Sequence, residues 1–565
     1  MTPAALGAAS PQPPHRPALR RERHFGDRVM QCFAQRPGSV EQMLAEAVAR
    51  HGAGEAVVCG AERLSWQQLD TLAARLAAGL QAQGVVAGDR VALLLDNGVP
   101  FVLAVLACAK LGAITVPLSA RSQTPELAHA LNDCGAVLVF VDSTLAPRLP
   151  SVGETPALRR RCPVVEGPAG SALAAWLADA PTVAAHATAE DDVAAILYTS
   201  GTTGRPKGAM LTHLNIVHSA MHYEWAMGLT DADRSVVCVP FSHVTGLIAQ
   251  LATMLRCAGT LVILPAFKAA DFLALAAGER GTHTVMVPAM YKLCLLRADL
   301  GAHDLRAWRI GAFGGAPMPP ATIAELALRL PGLILMNAYG ATETTSPATI
   351  TPADAGPAQR DSVGRAVACG ELAVMDAGGR ELPDGESGEV WIKGPMIVPG
   401  YWNNAVATAE SFVGGYWRSG DLGRLDGDGF LCLHDRLKDV INRGGYKIYP
   451  AEVEAVLGQH PDVLEAAVIG TPCPVLGERV HAFVALRSLD SGSAPDATEG
   501  NERHPANHAA ASEFARFSSA RLSDYKVPEG WTLQHQPLPR NANGKLLKRM
   551  LREQLAASLP PGAIP

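Results

Sequence analysis

The sequence predicts an α/β protein. A large N-terminal domain of layered α/β subdomains carries a small antiparallel β unit and is followed by a small, mobile α+β domain. Three observations carry this. Across residues 64–141, and again across 235–299, short apolar runs alternate with stretches whose apolar residues recur at helical spacing, which argues for a parallel sheet with helices on its faces. After about residue 350 the runs shorten and Gly-rich turns separate them, as in "GELAVMDAGGRELPDGESGEVWIKGP" (370–395), the texture of an antiparallel unit. From "HDRLKDVINRGGYKIYPAEVEAVLGQH" (434–460) a compact α+β unit begins.

The elements follow in order. Residues 1–29 are rich in Pro, Ala and Arg, lack the apolar core of a signal peptide, and read as a disordered tail, with order expected from about Met30. "LSWQQLDTLAARLAAGLQAQGV" (64–85) has a helical period, "DRVALLL" is a buried strand, 101–112 a helix, "AITVPL" a strand, and "TPELAHALNDCGAVLVFVD" repeats helix then strand. The second series reads as strand "SVVCVP", helix 244–257, strand "TLVIL", helix 269–279, strand "HTVMVP" and helix 289–297. Residues 488–512 are polar and poor in bulky apolar types, and read as a flexible surface insertion. The expected division is therefore a tail at 1–29, a large domain at 30–437 and a mobile domain at 438–565.

With 565 residues, 48% of them apolar, there is material for several cores, and a net charge of −6 spread along the chain gives no basic face for nucleic acid. The longest apolar stretch (101–118) contains Lys110 and ends in Pro117–Leu118, so no membrane span is expected. Eleven Cys without a C-x-x-C pair read as buried thiols of a reducing compartment, the cytoplasm.

One stretch asks for chemistry. "YTSGTTGRPKG" (198–208) follows the apolar run "VAAIL" and combines three Gly, four hydroxyl residues and Lys207. Gly-rich backbone exposes N–H groups to an anion, hydroxyls add donors, and Lys207 adds a point charge. Lys207 is followed by Gly208, so the G-x-x-x-x-G-K-[ST] pattern of P-loop NTPases is not met.

Together with "NAYGATE" (337–343), "YWRSGD" (416–421), "DRLKDVINRGGYKIYPAEVE" (435–454) and "PRNANGKLLKR" (539–549), in this order, the loop resembles the signature of the adenylate-forming enzymes, the superfamily of acyl- and aryl-CoA synthetases, peptide-synthetase adenylation domains and beetle luciferases. The resemblance covers about residues 38–554. It implies activation of a carboxylate by ATP to acyl-AMP, with pyrophosphate released, then thioester formation with coenzyme A. It implies that Thr199, Ser200, Gly201, Thr202, Thr203, Gly204 and Lys207 grip the β- and γ-phosphates. Gly314, Gly315 and Ala316 would line the adenine and acyl sites, Tyr339 and Gly340 would lie against adenine, Thr342 would donate to the α-phosphate, and Glu343 would hold Mg²⁺. Asp421 would accept the ribose hydroxyls, and Arg436 would add a cation beside them. Lys438 would be the hinge of the mobile domain. Lys545 would reach the carboxylate and α-phosphate in one orientation of that domain, while Gly445, with Arg443, would serve coenzyme A in the other.

"PFSHVTG" (240–246) matches the segment that approaches the acyl pocket. Ser242 stands where amino-acid-activating relatives carry an Asp, which disfavours an α-amino acid, and His243 matches a gate beside the carboxylate. The small or apolar residues near 243–247, 288–291, 313–317 and 337–349 imply an uncharged aliphatic or aromatic acid. No carrier domain follows the last motif, which favours coenzyme A as acceptor, with a stand-alone ligase that loads a separate acyl-carrier protein as the alternative. A homodimer is one option for assembly.

Overall fold

A computed structural model describes residues 17–164, 183–199, 206–356, 359, 361–444, 446–487, 505–540 and 546–558. Two sheets organise the large domain. A six-stranded sheet runs in the order Lys207–Thr212, Val193–Thr199, Ile114–Pro117, Arg90–Leu94, Leu138–Asp142, Arg160–Val164, parallel except for its first pair. A nine-stranded sheet has a parallel centre formed by Ile334–Tyr339, Ile310–Phe313, His283–Met286, Arg234–Val237, Thr260–Ile263 and Glu55–Cys59, with short antiparallel strands at both edges. Ile114–Pro117, Thr260–Ile263, His283–Met286 and Ile310–Phe313 are buried on both faces, as parallel strands between helical layers are.

One apolar cluster, including Leu76, Phe101, Val217 and Ile248, joins the helices to both sheets. The helix Trp66–Ala82 starts at Ser65, whose hydroxyl accepts the Gln68 N–H in a capping box, and it begins two residues later than its period suggests because Glu62–Ser65 pairs as a strand. The helix Val99–Leu111 ends at Gly112, which takes the left-handed conformation (φ +71°). Lys110 sits within that helix, buried, and its ammonium meets Asp70 (2.7 Å) and Glu41 (3.3 Å).

Three expectations are corrected. The N-terminal tail does not reach residue 29, because Leu19–His24 pairs antiparallel with Arg28–Phe33. Arg36 ties this hairpin down through Glu22 and Glu190, and His24 reaches Asp191 (2.8 Å). Polar composition hid an ordered hairpin held by ion pairs. The expected helix 244–257 is a π-helix over Thr245–Ala252 that continues as α-helix over Thr253–Cys257. Gln250 turns inward to Ser235 Oγ (3.2 Å) and the Val236 carbonyl (3.0 Å), and Thr253 Oγ1 donates five residues back to the Ile248 carbonyl, which satisfies the widened turn. The expected insertion 488–512 ends early, since Pro505–Ser519 is helical, and residues 488–504 lie outside the described residues.

The antiparallel unit holds Glu371–Met375, Gly388–Lys393, Phe412–Val413, Tyr416–Leu425 and Leu431–Arg436. The following unit is α+β. Ile441–Arg443, Tyr446–Ile448, Val463–Cys473, Gly477–Leu486 and Gly530–Gln534 form a mixed sheet against the helices Pro450–Leu457, Pro505–Ser519 and Lys548–Ser558. All eleven Cys are free thiols, nine of them buried. No helix among the described residues is long and apolar enough to cross a membrane.

Candidate active site

The strands Arg234–Val237, His283–Met286, Ile310–Phe313 and Ile334–Tyr339 run parallel, so their C-terminal ends share one edge of the nine-stranded sheet. Such an edge is where open α/β sheets bind ligands. The segments leaving it carry His243, Val287, Gly314–Ala316 and Gly340–Glu343. A side chain at Gly314 would place its Cβ 2.4 Å from the Ala338 carbonyl oxygen, and Gly315 has φ +78°. Both positions therefore require glycine, and with exposed Ala316 they leave bare backbone at this edge.

Lys207 opens the edge strand of the six-stranded sheet and pairs with Thr199, whose hydroxyl reaches the Lys207 carbonyl (3.4 Å). Its ammonium stands 5.1 Å from the ring centre of Tyr401. The Tyr401 hydroxyl donates to Glu343 Oε1 at 2.8 Å. Burial, and then the Glu343 carboxylate, hold that phenol far above its ordinary ionisation range, so it stays a donor. Lys207, Tyr401 and Glu343 thus form one corner. The segment 395–402 that carries Tyr401 is held from several sides. Asn215 Nδ2 donates to the carbonyls of Pro395 (2.6 Å) and Ile397 (3.1 Å), Trp402 N donates to Gly208 O (2.7 Å), and Val398 N donates to Glu343 O (3.0 Å). Glu343 is the middle residue of a single 3₁₀ turn, Thr342–Thr344, which Thr344 Oγ1 closes by accepting the Ala341 N–H at 2.9 Å. Tyr401 and Asn215 were not identified from the sequence. The only available signal was the turn "PGYWNN" (399–404), with an aromatic between a Pro-Gly pair and a helix start.

The second corner is made by Tyr339, Asp421 and Arg436. Asp421 and Arg436 are direct partners across antiparallel strands, and Arg436 Nε meets Asp421 Oδ1 at 2.8 Å. The Tyr339 hydroxyl donates to Asp421 Oδ2 at 2.6 Å. Burial first, and the Asp421 charge second, keep that phenol protonated. Asp421 is 6% exposed, and its backbone N–H donates to Ser419 Oγ (3.0 Å).

His243 leads into the π-helix. Thr245 holds its Nδ1 from two sides, through the backbone N–H (3.2 Å) and through Oγ1 (3.0 Å). Gly246 permits the tight entry, since a Cβ there would lie 2.3 Å from the Pro240 carbonyl oxygen. Beneath the edge, Tyr291 donates to the Ala312 carbonyl (2.9 Å) and stacks on Trp308 (6.1 Å, 13°).

Of the predicted residues, Ser200, Gly201, Thr202, Thr203, Gly204, Gly445 and Lys545 lie outside the described residues. Arg443 is engaged within the small domain by Glu529 and the Tyr525 carbonyl. Lys438 lies in the 3₁₀ turn Leu437–Asp439, and burial lowers its ammonium below the usual lysine range. Asp439 pairs with Arg552 at 3.0 Å, and Asp435 accepts the Ala451 N–H at 2.7 Å.

Glu343 suits a hard divalent cation: it is a carboxylate with one oxygen engaged by a neutral donor and further acceptor capacity.

The family model described as "AMP-binding enzyme" matches residues 44–402, and that described as "AMP-binding enzyme C-terminal domain" matches residues 452–545. The chain is 33% identical to long-chain-fatty-acid–CoA ligase FadD13 of Mycobacterium tuberculosis over 505 residues, covering 88% of this chain and 94% of that protein. It is 36% identical to feruloyl-CoA synthase of an Amycolatopsis species (88% and 95% covered), and 33% identical to fatty acid–[acyl-carrier-protein] ligase ScoC of Streptomyces coeruleorubidus (88% and 93%). Among solved structures, o-succinylbenzoate coenzyme A synthetase (MenE) of Bacillus subtilis with ATP and magnesium matches with TM-score 0.76 at 28% identity, covering 90% of this chain and 99% of that one.

Proposed function

The chain belongs to the AMP-binding enzyme family, and we propose that within it the protein activates an uncharged aliphatic or aromatic carboxylic acid with ATP and transfers the acyl group to coenzyme A in the cytoplasm. The observation that carries this reading is the pair of corners. A cation and a carboxylate meet at Tyr401, and a tyrosine–aspartate–arginine set stands at the other corner. The first suits the polyphosphate end of a nucleotide and the second its ribose.

In the first step a carboxylate oxygen attacks the α-phosphorus, the bond from that phosphorus to the bridging oxygen breaks, and pyrophosphate leaves. Lys207 offsets charge on the departing phosphates, and Thr342 donates to the α-phosphate. Glu343 would hold Mg²⁺, which supplies charge neutralisation on the phosphate oxygens when bound. Asp421 accepts the ribose hydroxyls while Arg436 and Tyr339 hold its carboxylate in place. His243, oriented through Nδ1 by Thr245, gates the acid beside its carboxylate. Lys545, delivered by the mobile domain 438–565 turning at Lys438, steers the two anions together. In the second step the thiol sulfur attacks the acyl carbon, AMP leaves with the bonding pair, and Gly445 with Arg443 serves the coenzyme A side.

The test is acid-dependent ATP–pyrophosphate exchange across short, medium and long aliphatic acids, benzoates and cinnamates, followed by product analysis with coenzyme A. Acyl-CoA and AMP are expected, and no exchange with any acid overturns the reading. The similarity to ScoC supports a second acceptor, a holo acyl-carrier protein. Thioester on the carrier without acyl-CoA would select it.

A further inference from the structure

Arg28 opens the second strand of the N-terminal hairpin, far in sequence from every motif of the site. Its guanidinium donates through Nη1 to the Val398 carbonyl (3.0 Å) and through Nη2 to the Pro399 carbonyl (2.8 Å). It also lies over the rings of Phe412 (5.3 Å) and Phe25 (5.7 Å). Phe412 in turn meets the Tyr401 ring edge-on at 5.7 Å. Among the described residues no carboxylate forms an ion pair with Arg28, and burial lowers its pKa. A half-buried cation spent on two successive backbone carbonyls is an unusual arrangement for a surface hairpin, and it asks what those carbonyls must do.

They belong to the segment that carries Tyr401. Val398 N–H donates to the Glu343 carbonyl, and three residues on, the Tyr401 hydroxyl donates to the Glu343 carboxylate. Asn215 holds Pro395 and Ile397 from the helix His213–Met227, so Arg28 supplies the complementary grip on the opposite peptides. The hairpin itself is anchored at Glu190 and Asp191, just before the strand Val193–Thr199 that feeds the phosphate loop.

We propose that Arg28 is a positioning residue for the phosphate–metal corner: by fixing the carbonyls of Val398 and Pro399 it sets the Tyr401 hydroxyl on Glu343 and the Tyr401 ring under Lys207. Arg28 touches neither nucleotide nor acid. Its planar fork matters, because a lysine ammonium cannot hold two diverging carbonyls in fixed orientation. The inference rests on the reading of Glu343 as the magnesium ligand.

The experiment is direct binding of MgATP, metal-free ATP and AMP by calorimetry, with Mn²⁺ and ATP followed by electron paramagnetic resonance, in the full-length protein. Arg28→Met and Tyr401→Phe are each expected to weaken MgATP and MnATP about tenfold, the scale of one lost hydrogen bond to a charged group. The double variant should be no weaker than about either single one. AMP should stay within about twofold in both variants, and metal-free ATP should do so in Tyr401→Phe, which keeps the ring under Lys207. Arg28→Lys should fall between wild type and Arg28→Met. Wild-type MgATP affinity in Arg28→Met or in Tyr401→Phe overturns the proposal, as does full additivity in the double variant. If Arg28→Met does not fold, Arg28→Lys decides, and wild-type affinity there overturns it. Glu343→Gln separates the two levels. Unchanged MgATP and MnATP affinity in Glu343→Gln removes the magnesium reading and this inference with it. Loss in Glu343→Gln with wild-type behaviour in Arg28→Met removes this inference alone.

Discussion

The two corners of the site are built by different means. At the corner proposed for phosphate the side chains are placed by backbone: Asn215 and Arg28 hold carbonyls of 395–399, and peptide N–H groups tie the same segment to Gly208 and Glu343. At the corner proposed for ribose they are placed by one another: Asp421 is gripped by Arg436 and by Tyr339, side chain to side chain. The first corner is over-determined by many contacts to backbone. The second depends on one carboxylate, and Arg436 is the last residue before the turn Leu437–Asp439. Loss of a single group should therefore be diluted at the first corner and concentrated at the second.

The largest effect tests whether both corners only bind. Lys545→Ala should lower acyl-AMP formation about a thousandfold while sparing thioester formation from preformed acyl-AMP, because electrostatic help at the reacting atoms is lost in one step only. Equal loss in both half-reactions, followed in rapid-quench assays, would dissolve the distinction. Next comes Asp421→Ala, which strands the Arg436 cation and the Tyr339 hydroxyl. AMP and ATP affinity should fall about a hundredfold, with the magnesium dependence unmoved. A comparable loss confined to ATP would break the assignment of this corner to ribose. Lys207→Met should weaken ATP about tenfold and leave AMP unchanged, since the proposed role of Lys207 is on phosphates that AMP lacks. AMP binding that weakens in parallel would contradict it.

The smallest effect concerns support. His213 and His218 flank Asn215 on the helix His213–Met227, and burial lowers their pKa values to about 4 and about 3. The unfolded chain takes up protons below about pH 6.5, whereas these rings stay neutral, so stability must fall as pH drops from there towards 4. Between pH 7 and 6 the loss should be under about 1 kcal/mol per histidine, growing below pH 6. Calorimetric melting temperatures across pH 5–8 would show it, and replacing His213 by Gln should flatten the profile. A flat wild-type profile would sink the idea.

Much of this was legible in the sequence because the site residues sit in local strings, and strand ends bring those strings to one edge. Tyr339 and Asp421 come from separate strings and meet through a hydrogen bond, and Glu343 meets Tyr401. What stayed illegible depends on contacts between distant segments. Arg28 lay in a stretch that composition marks as a tail, and contacts with distant segments order it: the ion pairs of Arg36 and His24, and burial of Phe33 in the core. Tyr401 needed Glu343 beside it to be more than a turn aromatic. The π-helix after His243 needed Gln250 to find Ser235, which no helical period encodes. Residues 505–512 are polar enough to read as loop, yet they open a helix whose apolar side, at Phe514, enters the small domain's core.

The pairing of Thr199 with Lys207 carries one more implication. It pins both ends of residues 200–206 at the spacing of neighbouring strands. The entropy of closing that loop is thus already spent in the folded chain, and growth in loop length would change it only logarithmically.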